Sequence, residues 1–306
     1  MLRYYVLVSK SLTCLIRQFG SIPVDRTVVI INSQHQPFID VAIDYCIDNL
    51  IEYHITESDG TPATGKNSMN KIFLESTDEY MVAIDGDDFI TPYGVELYDR
   101  VAASGKAPDL ICIYRQLGAM RCAPKHFIRG QDFEDLESKY GAVYFADKSN
   151  GYIDPEGLKA FFMKWCEVSD EKASQWVEDR LEHYELLFKY GEARESFCRM
   201  VFFSRKAVAH MHYDNSMKIG EDTAQWMLMK KLAFEGEIDM RRRNERKYGH
   251  TYIYCMDSVG VTEQDHKSKR FDWMKPLTDH LNTLDGLIEN QSLPEFLDHE
   301  YEINEK

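Results

Sequence analysis

The chain has 306 residues, enough for one large domain or two small ones, and its 44% hydrophobic and 28% charged residues are typical of a folded globular protein. The 36 lysine and arginine residues against 51 aspartate and glutamate residues give a net charge of −15, which argues against non-specific binding to nucleic acid or anionic membranes. There is no apolar run long enough to span a membrane, no secretion signal and no C-x-x-C pair among the seven cysteines, so we expect a cytoplasmic protein with reduced thiols.

The N-terminal third alternates between short apolar runs and amphipathic helical patterns. Strands are predicted at Tyr4–Val8, Val28–Ile31, Tyr53–Ile55 and Tyr80–Ile84, helices at Pro37–Leu50 and Ser68–Glu75, and a loop at Gly60–Gly65. This alternation predicts a doubly wound α/β sheet flanked by helices, a class in which ligands bind beyond the carboxyl ends of the strands.

The rest of the chain adds two strands and several helical segments. Strands are predicted at Leu110–Tyr114 and Cys198–Phe203, a helical insertion at 155–191 and a helix through Trp226–Phe234. We expect one α/β domain over 1–261, with halves 1–100 and 101–261, followed by a helical C-terminal extension over 262–306.

An acidic motif, Asp85-Gly86-Asp87-Asp88, directly follows the apolar strand that ends at Ile84. Carboxylates gathered at a strand end repel one another unless a cation neutralises them, and their hard oxygen ligands suit magnesium or manganese. A solvated acidic turn is the alternative, because aspartate and glycine are common turn residues.

A second acidic pair, Glu221-Asp222, follows Gly220 and precedes a predicted helix. Carboxylates in the first turn of a helix can serve only as caps, since they interact favourably with the helix dipole. In a cleft, a carboxylate can instead remove a proton from a hydroxyl nucleophile.

Three segments, in this order, resemble the GT-A glycosyltransferases, most closely the large inverting family 2 of nucleotide-sugar transferases. They are Gly65-Lys66-Asn67, the strand with the D-x-D acids Asp85 and Asp87, and the late pair Glu221-Asp222. The resemblance runs from Tyr4 to Asp222. It implies a GT-A fold, in which helices flank a doubly wound mixed sheet, with a nucleotide-sugar-binding half at 1–100 and an acceptor half at 101–261.

The resemblance also implies a role for each matched residue. The nucleotide-sugar donor would contact Ser9, Lys10, Asn32, Lys66, Asn67 and Asp85. A divalent cation, manganese or magnesium, would be held by Asp85, Asp87 and His250, and the general base would be Asp222 or, as second choice, Glu221. Asn32 departs from the family, which usually has an aspartate at this place.

The implied reaction is the transfer of a sugar, hexosyl or pentosyl, from a UDP-sugar to an acceptor hydroxyl, with inversion at the anomeric carbon. A glycan, a protein and a lipid are the default acceptors. The basic run Arg241-Arg242-Arg243 is an expected anion patch, and it adds a modified DNA base as a further candidate acceptor. The sequence does not predict the oligomeric state.

Two other functions remain open at this point. Gly60 to Asn67 nearly matches the phosphate-binding loop G-x-x-x-x-G-K-[ST] of kinases and NTPases, although Asn67 lacks the required hydroxyl and Pro62 stiffens the loop. A non-catalytic nucleotide- or glycan-binding domain of GT-A type is the second alternative. Both acidic motifs argue against it, because a binding module needs no general base.

Overall fold

The structure is a computed structural model that describes residues 1–10, 22–114, 117–119, 146–147, 152–153, 155–156, 159, 163, 169–178, 198–216, 221–255 and 292–302. Gly220 and most of the predicted helical insertion at 155–191 lie outside the described residues. The described part of that insertion includes a helix at 170–178. The hydroxyl of Ser169 caps its first turn, because it accepts a hydrogen bond from the backbone N–H of Lys172 at 3.3 Å.

The described residues form strands that belong to one large sheet and two small ones. The strands are β1 (Leu2–Val8), β2 (Thr27–Ile31), β3 (Glu52–Ile55), β4 (Tyr80–Asp85), β5 (Phe89–Ile90), β6 (Leu110–Tyr114), β7 (Leu117–Ala119), β8 (Ala146–Asp147), β9 (Tyr152–Ile153), β10 (Arg199–Ser204), β11 (Met240–Asn244) and β12 (Tyr252–Cys255). The large sheet has seven strands in the order β3-β2-β1-β4-β10-β6-β11. Among the described strands of this sheet, only β10 runs antiparallel to its neighbours.

Helices cover both faces of the large sheet. They are α1 (Gln36–Asp48), α2 (Pro62–Glu75), α3 (Pro92–Ala103), α4 (170–178), α5 (Arg205–Ala209), α6 (Glu221–Phe234) and α7 (Glu245–Tyr248). The starts of α2 and α3 follow the same rule, because a threonine hydroxyl caps each helix and a proline occupies its first position. The predicted fold class, a doubly wound mixed α/β sheet flanked by helices, is confirmed.

Two apolar layers form the core, one on each side of the sheet. Successive side chains of β1 point to opposite faces, so that Tyr4 joins the layer with α1 and α3 while Tyr5 joins the layer with α2, α5 and α6. Both tyrosines are fully buried. The sheet is therefore covered on both faces, as its continuous apolar strands require.

The chain changes direction across the sheet between β1 and β4. From β1 it proceeds outward through β2 to β3, and it then returns to the other side of β1 as β4. The carboxyl ends of β1 and β4 are adjacent, since the N–H of Gly86 donates to the carbonyl of Leu7 at 2.7 Å. A Cβ on Gly86 would lie only 2.4 Å from that oxygen. This is a topological switch point, where α/β sheets bind their ligands.

The helix that contains Asn67 begins at an earlier residue than the sequence predicts. Helix α2 begins at Pro62, so Gly65 and Lys66 lie within the helix and not in a loop. The missing side chain of Gly65 lets α2 lie close to the sheet, because a Cβ there would be 2.5 Å from Leu7 Cδ1 and 2.9 Å from Asn32 Cγ. The close approach places Lys66 over the switch point.

The described part of the predicted C-terminal extension, 292–302, packs against the large sheet. Its backbone lies alongside β11, with the N–H of Phe296 donating to the carbonyl of Arg242 at 2.7 Å. Phe296 is fully buried and stacks on Tyr301. These residues contain a single 3₁₀ turn, Asp298–Tyr301, where the sequence predicted a helical appendage. No helix within the described ranges is long and apolar enough to cross a membrane.

Candidate active site

A cavity of about 200 Å³ lies at the switch point, between the ends of β1 and β4 on one side and α2 and α6 on the other. Its polar wall contains Lys66, Asp85, Arg199 and Asp222. The first two come from the predicted donor half and the last two from the predicted acceptor half. The fold therefore brings the two acidic motifs of the sequence to one cavity.

The acidic motif after β4 forms a compact cluster. Asp85, Asp87 and Asp88 each have an oxygen within 4.8 Å of the others. Asp88 is only 1% exposed and accepts a hydrogen bond from the hydroxyl of Tyr252 at 2.8 Å. Burial, together with the neighbouring Asp85, raises the pKa of Asp87. The predicted pair Asp85 and Asp87 thus lies together in the structure, with Asp88 as a third member.

Arg199 lies against this cluster and was not among the predicted site residues. Because β10 is antiparallel to β4, its first residue lies at the edge where β4 ends. Its guanidinium forms an ion pair with Asp85 and lies 3.4 Å from an oxygen of Asp88. The only sequence signal was a charged residue at the start of an apolar run.

The surroundings of Arg199 keep both partners of the ion pair charged. The guanidinium carbon lies 4.5 Å from the centre of the Tyr252 ring, a cation–π contact. Burial alone would lower the pKa of Arg199, but Asp85 and the other acidic groups around it together outweigh this effect, and the pKa is well above its ordinary value. Burial alone would raise the pKa of Asp85, and Arg199 and Lys66 hold it below its usual range.

Lys66 connects α2 to the second acidic motif. Its Nζ donates to a carboxylate oxygen of Glu221 at 2.8 Å and to one of Asp222 at 2.5 Å, and it lies 5.4 Å from the centre of the Tyr213 ring. Burial alone would lower the pKa of Lys66, but Asp222, Glu221 and Asp85 outweigh this effect and raise it well above its ordinary value. The ammonium is therefore a fixed positive charge in the cavity wall.

Glu221 and Asp222 differ in their access to the cavity. Both lie in the first turn of α6, where the helix dipole favours carboxylates. The side chain of Glu221 is 7% exposed, and burial raises its pKa despite the neighbouring Lys66. The side chain of Asp222 is 55% exposed and contributes to the cavity wall. Of the two, Asp222 therefore has the carboxylate that is accessible from the cavity.

The two asparagines that the resemblance assigned to donor binding make contacts within the protein. The amide of Asn32 donates to the carbonyl of Thr61 at 2.9 Å and accepts from the hydroxyl of Thr56 at 2.7 Å. The amide of Asn67 donates to the carbonyl of Tyr213 at 2.8 Å and accepts from the N–H of the same residue at 2.9 Å. Both side chains thus hold loops around the cavity, and their contact with a nucleotide stays a prediction.

The remaining predicted donor and metal residues lie around the same edge or near it. Ser9 and Lys10 directly follow β1, and Ser9 is half-buried while Lys10 is exposed. His250 is 5% exposed, and its backbone carbonyl accepts from the hydroxyl of Thr91 at 2.7 Å. Within the described ranges, the group of side chains close enough to share one ion does not include His250. Its role as a ligand stays a prediction.

The three arginines of the expected anion patch are engaged with other groups. Arg243 is fully buried and forms ion pairs with Glu245 and Asp298. Arg241 pairs with Asp239 at 3.1 Å, and the guanidinium of Arg242 lies 5.2 Å from the centre of the Tyr114 ring. Arg243 therefore offers no surface to an external anion. Arg241 and Arg242 are half-buried, and a modified DNA base as acceptor stays a prediction.

The structure also argues against the phosphate-binding-loop alternative. Such a loop wraps a phosphate with backbone N–H groups before the helix begins. Here, α2 begins at Pro62, within the motif, and the ammonium of Lys66 is held by Glu221 and Asp222. The motif thus forms neither the loop nor the phosphate-directed lysine of a kinase.

The donor set of the acidic cluster fits a divalent cation. Among the described side chains of this site, five carboxylates (Asp85, Asp87, Asp88, Glu221 and Asp222) face two cations (Lys66 and Arg199). The oxygens of the three adjacent aspartates are hard ligands of the kind that magnesium and manganese prefer. A cation near Asp87 would offset the negative charge of Asp85, which adds to the effect of burial in raising the pKa of Asp87.

Comparison with known proteins gives only distant structural similarity. No family model matches the chain, and no curated protein matches it.

Among solved structures, the chain is similar to S. aureus TarS, with 12% identity, a TM-score of 0.44, and coverage of 84% of this chain and 37% of that chain. A structure of S. aureus TarS 1-349 in complex with UDP-GlcNAc matches with 11% identity, a TM-score of 0.47, and coverage of 91% of this chain and 66% of that chain. A third, S. aureus TarS 1-349 in complex with UDP, matches with 12% identity, a TM-score of 0.43, and coverage of 83% and 60%. The chain thus spans between about a third and two thirds of these structures.

Proposed function

We propose that this protein is a metal-dependent glycosyltransferase that transfers a sugar from a nucleoside-diphosphate donor, a UDP-sugar, to an acceptor hydroxyl. The observation that carries the proposal is the position of Asp222 in the same cavity wall as Asp85. A cation-binding carboxylate and a solvent-accessible carboxylate base are the two groups that such a transfer needs. A domain that only binds nucleotide or glycan needs no base at this place.

The proposed mechanism is a single displacement with inversion. Asp222 accepts the proton of the acceptor hydroxyl while the oxygen of this hydroxyl attacks the anomeric carbon. The bond from the anomeric carbon to the diphosphate breaks in the same step. Lys66 holds the carboxylate of Asp222 in place through their 2.5 Å contact. Asp85 and Asp87 would hold a divalent cation, which when bound neutralises charge on the departing nucleoside diphosphate.

The donor is tested by thermal shift with UDP-, GDP-, CDP- and TDP-sugars, each with and without Mn²⁺. We expect the largest stabilisation with a UDP-sugar and Mn²⁺ together. Asp222→Asn is expected to keep this donor binding and to lose donor hydrolysis and transfer by at least about a hundredfold, because general-base catalysis contributes about 10²–10⁴-fold. Glu96→Gln, an exposed acid on α3, is the control and should leave both unchanged.

Three results would contradict the proposal. Unchanged hydrolysis by Asp222→Asn would remove the assigned base, and stabilisation by a donor with no turnover in any variant would favour the non-catalytic alternative. A shift with ATP and none with any nucleotide sugar would refute the donor class.

A further inference from the structure

Arg199 interacts with Asp85, one of the two carboxylates that would hold the proposed cation. Its guanidinium pairs with Asp85 through one nitrogen and approaches Asp88 at 3.4 Å through the other. The ring of Tyr252 lies against the guanidinium, and the hydroxyl of this tyrosine donates to Asp88. Contacts with Asp85, Asp88 and Tyr252 thus hold the guanidinium in place, and the side chain of Arg199 is only 20% exposed.

We propose that Arg199 is a built-in counter-ion of the acidic cluster, which competes with the divalent cation for Asp85 and moves away from it when the cation binds. This inference rests on the cation site of the proposed function. It adds a positioning residue that the sequence motifs do not contain.

The charges explain why such a counter-ion is needed before the cation arrives. Asp85 and Asp88 are close together in a partly buried site, and carboxylates withdrawn from water without a positive partner destabilise a fold. The guanidinium supplies that partner. Because arginine presents several N–H donors in a planar fork, it can bridge two carboxylates, which a lysine ammonium does less well.

The same charges explain why the arginine and the cation exclude each other at Asp85. Two positive charges about 5 Å apart repel strongly in a partly buried site, where the effective dielectric constant is about 20. The contacts with Asp88 and Tyr252 would still hold the guanidinium in the site after it leaves Asp85. The exchange therefore needs only a movement of one side chain.

The test is the binding of Mn²⁺ alone to the wild type, Arg199→Gln and Arg199→Lys, measured by isothermal titration and by the thermal shift at increasing Mn²⁺. Arg199→Gln removes the charge, and we expect it to be less stable than the wild type without Mn²⁺ and to bind Mn²⁺ about tenfold more tightly. Arg199→Lys keeps the charge and is expected to bind Mn²⁺ within about threefold of the wild type. Arg241→Gln, which removes an arginine paired with Asp239, is the matched control and should bind Mn²⁺ as the wild type does.

Each outcome decides the inference. If Arg199→Gln folds only with Mn²⁺, the inference is supported, because the cation then replaces the missing positive charge. Three results would overturn the inference. Arg199→Gln could bind Mn²⁺ with the same affinity as the wild type, or both Arg199 variants could bind it more tightly by the same factor. The third is an Arg199→Gln protein that stays unfolded at saturating Mn²⁺.

The test also separates this inference from the proposed function. If the wild type binds Mn²⁺ and Arg199→Gln binds it no more tightly, the inference fails and the cation site stands. If neither the wild type nor Arg199→Gln binds Mn²⁺, the cation site of the proposed function fails, and the inference fails with it.

Discussion

The ammonium of Lys66 lies 2.5 Å from a carboxylate oxygen of Asp222, although the two residues are 156 positions apart in the chain. Lys66 belongs to α2, which packs on the ends of β1 and β2, and Asp222 belongs to the first turn of α6. The contact therefore joins two distant parts of the chain at the cavity. It also fixes the orientation of the carboxylate that we propose as the base.

Lys66→Met is expected to reduce both stability and turnover. The substitution leaves Glu221 buried without its cation, and removal of one partner of a buried pair costs about 3–5 kcal/mol. Urea unfolding measures the loss. Lys71→Met, which removes an exposed partner of Glu75 in the same helix, is the matched control, with an expected change below about 1 kcal/mol. Equal losses in the two variants would contradict the role of Lys66.

Arg243→Met is expected to release the segment 292–302 from β11. Arg243 is fully buried between Glu245 and Asp298, so that its removal leaves two buried carboxylates without a positive partner. We expect a loss of about 3–5 kcal/mol in unfolding free energy and faster amide exchange in 292–302. Arg241→Met, at a partly exposed pair, serves as the comparison and should change the unfolding free energy by less than about 1 kcal/mol. Unchanged exchange in the Arg243 variant would show that the buried pairs do not hold the segment.

Gly86→Ala is expected to separate the ends of β1 and β4 and to weaken donor binding. The new Cβ would lie 2.4 Å from the carbonyl oxygen of Leu7, so the backbone of the acidic motif must shift. Gly105→Ala is the control: it meets no atom within 4 Å, but its φ of 67° disfavours a side chain by about 1 kcal/mol. Both variants should lose stability, and only Gly86→Ala should lose affinity for a nucleotide sugar in a titration. Normal affinity of Gly86→Ala would argue against a binding site at this edge.

Asn67→Ala is expected to loosen the loop at 211–216. The amide of Asn67 makes hydrogen bonds with both backbone groups of Tyr213, and two lost hydrogen bonds correspond to about 2 kcal/mol. Hydrogen exchange should therefore accelerate at Tyr213 and its neighbours. Asn49→Ala, which removes an exposed amide contact with Tyr45, should leave this loop unchanged. If both variants behave alike, Asn67 is not the residue that holds the loop.

Three strands of the large sheet, β1, β2 and β4, were predictable from sequence because most of their residues are buried. β1, β2 and β4 appear as continuous apolar runs, and the structure places them within one or two residues of the predicted bounds. The start of α2 was not predictable in the same way. Gly65 weakens a helical pattern, and its position inside the helix depends on the close contact with Leu7 and Asn32, which only the tertiary structure contains.

The acidic residues of the candidate site were predictable from sequence, but one of its two cationic residues, Arg199, was not. Asp85, Asp87 and Asp222 follow recognisable patterns along the chain. Arg199 reaches the site only because β10 runs antiparallel to β4, and this pairing is not encoded in any local pattern. The opposite error occurred at Arg243, where a dense local charge suggested a surface patch while the side chain is buried against acids that include the distant Asp298.

The most direct test of the proposed function is a crystal structure of the protein soaked with UDP and Mn²⁺, with the anomalous signal of manganese used to locate the ion. We predict a manganese peak bonded to Asp85 or Asp87 and to the diphosphate, with the nucleotide at the carboxyl ends of β1 and β4. A nucleotide and an ion bound at any other place on the protein would contradict the account.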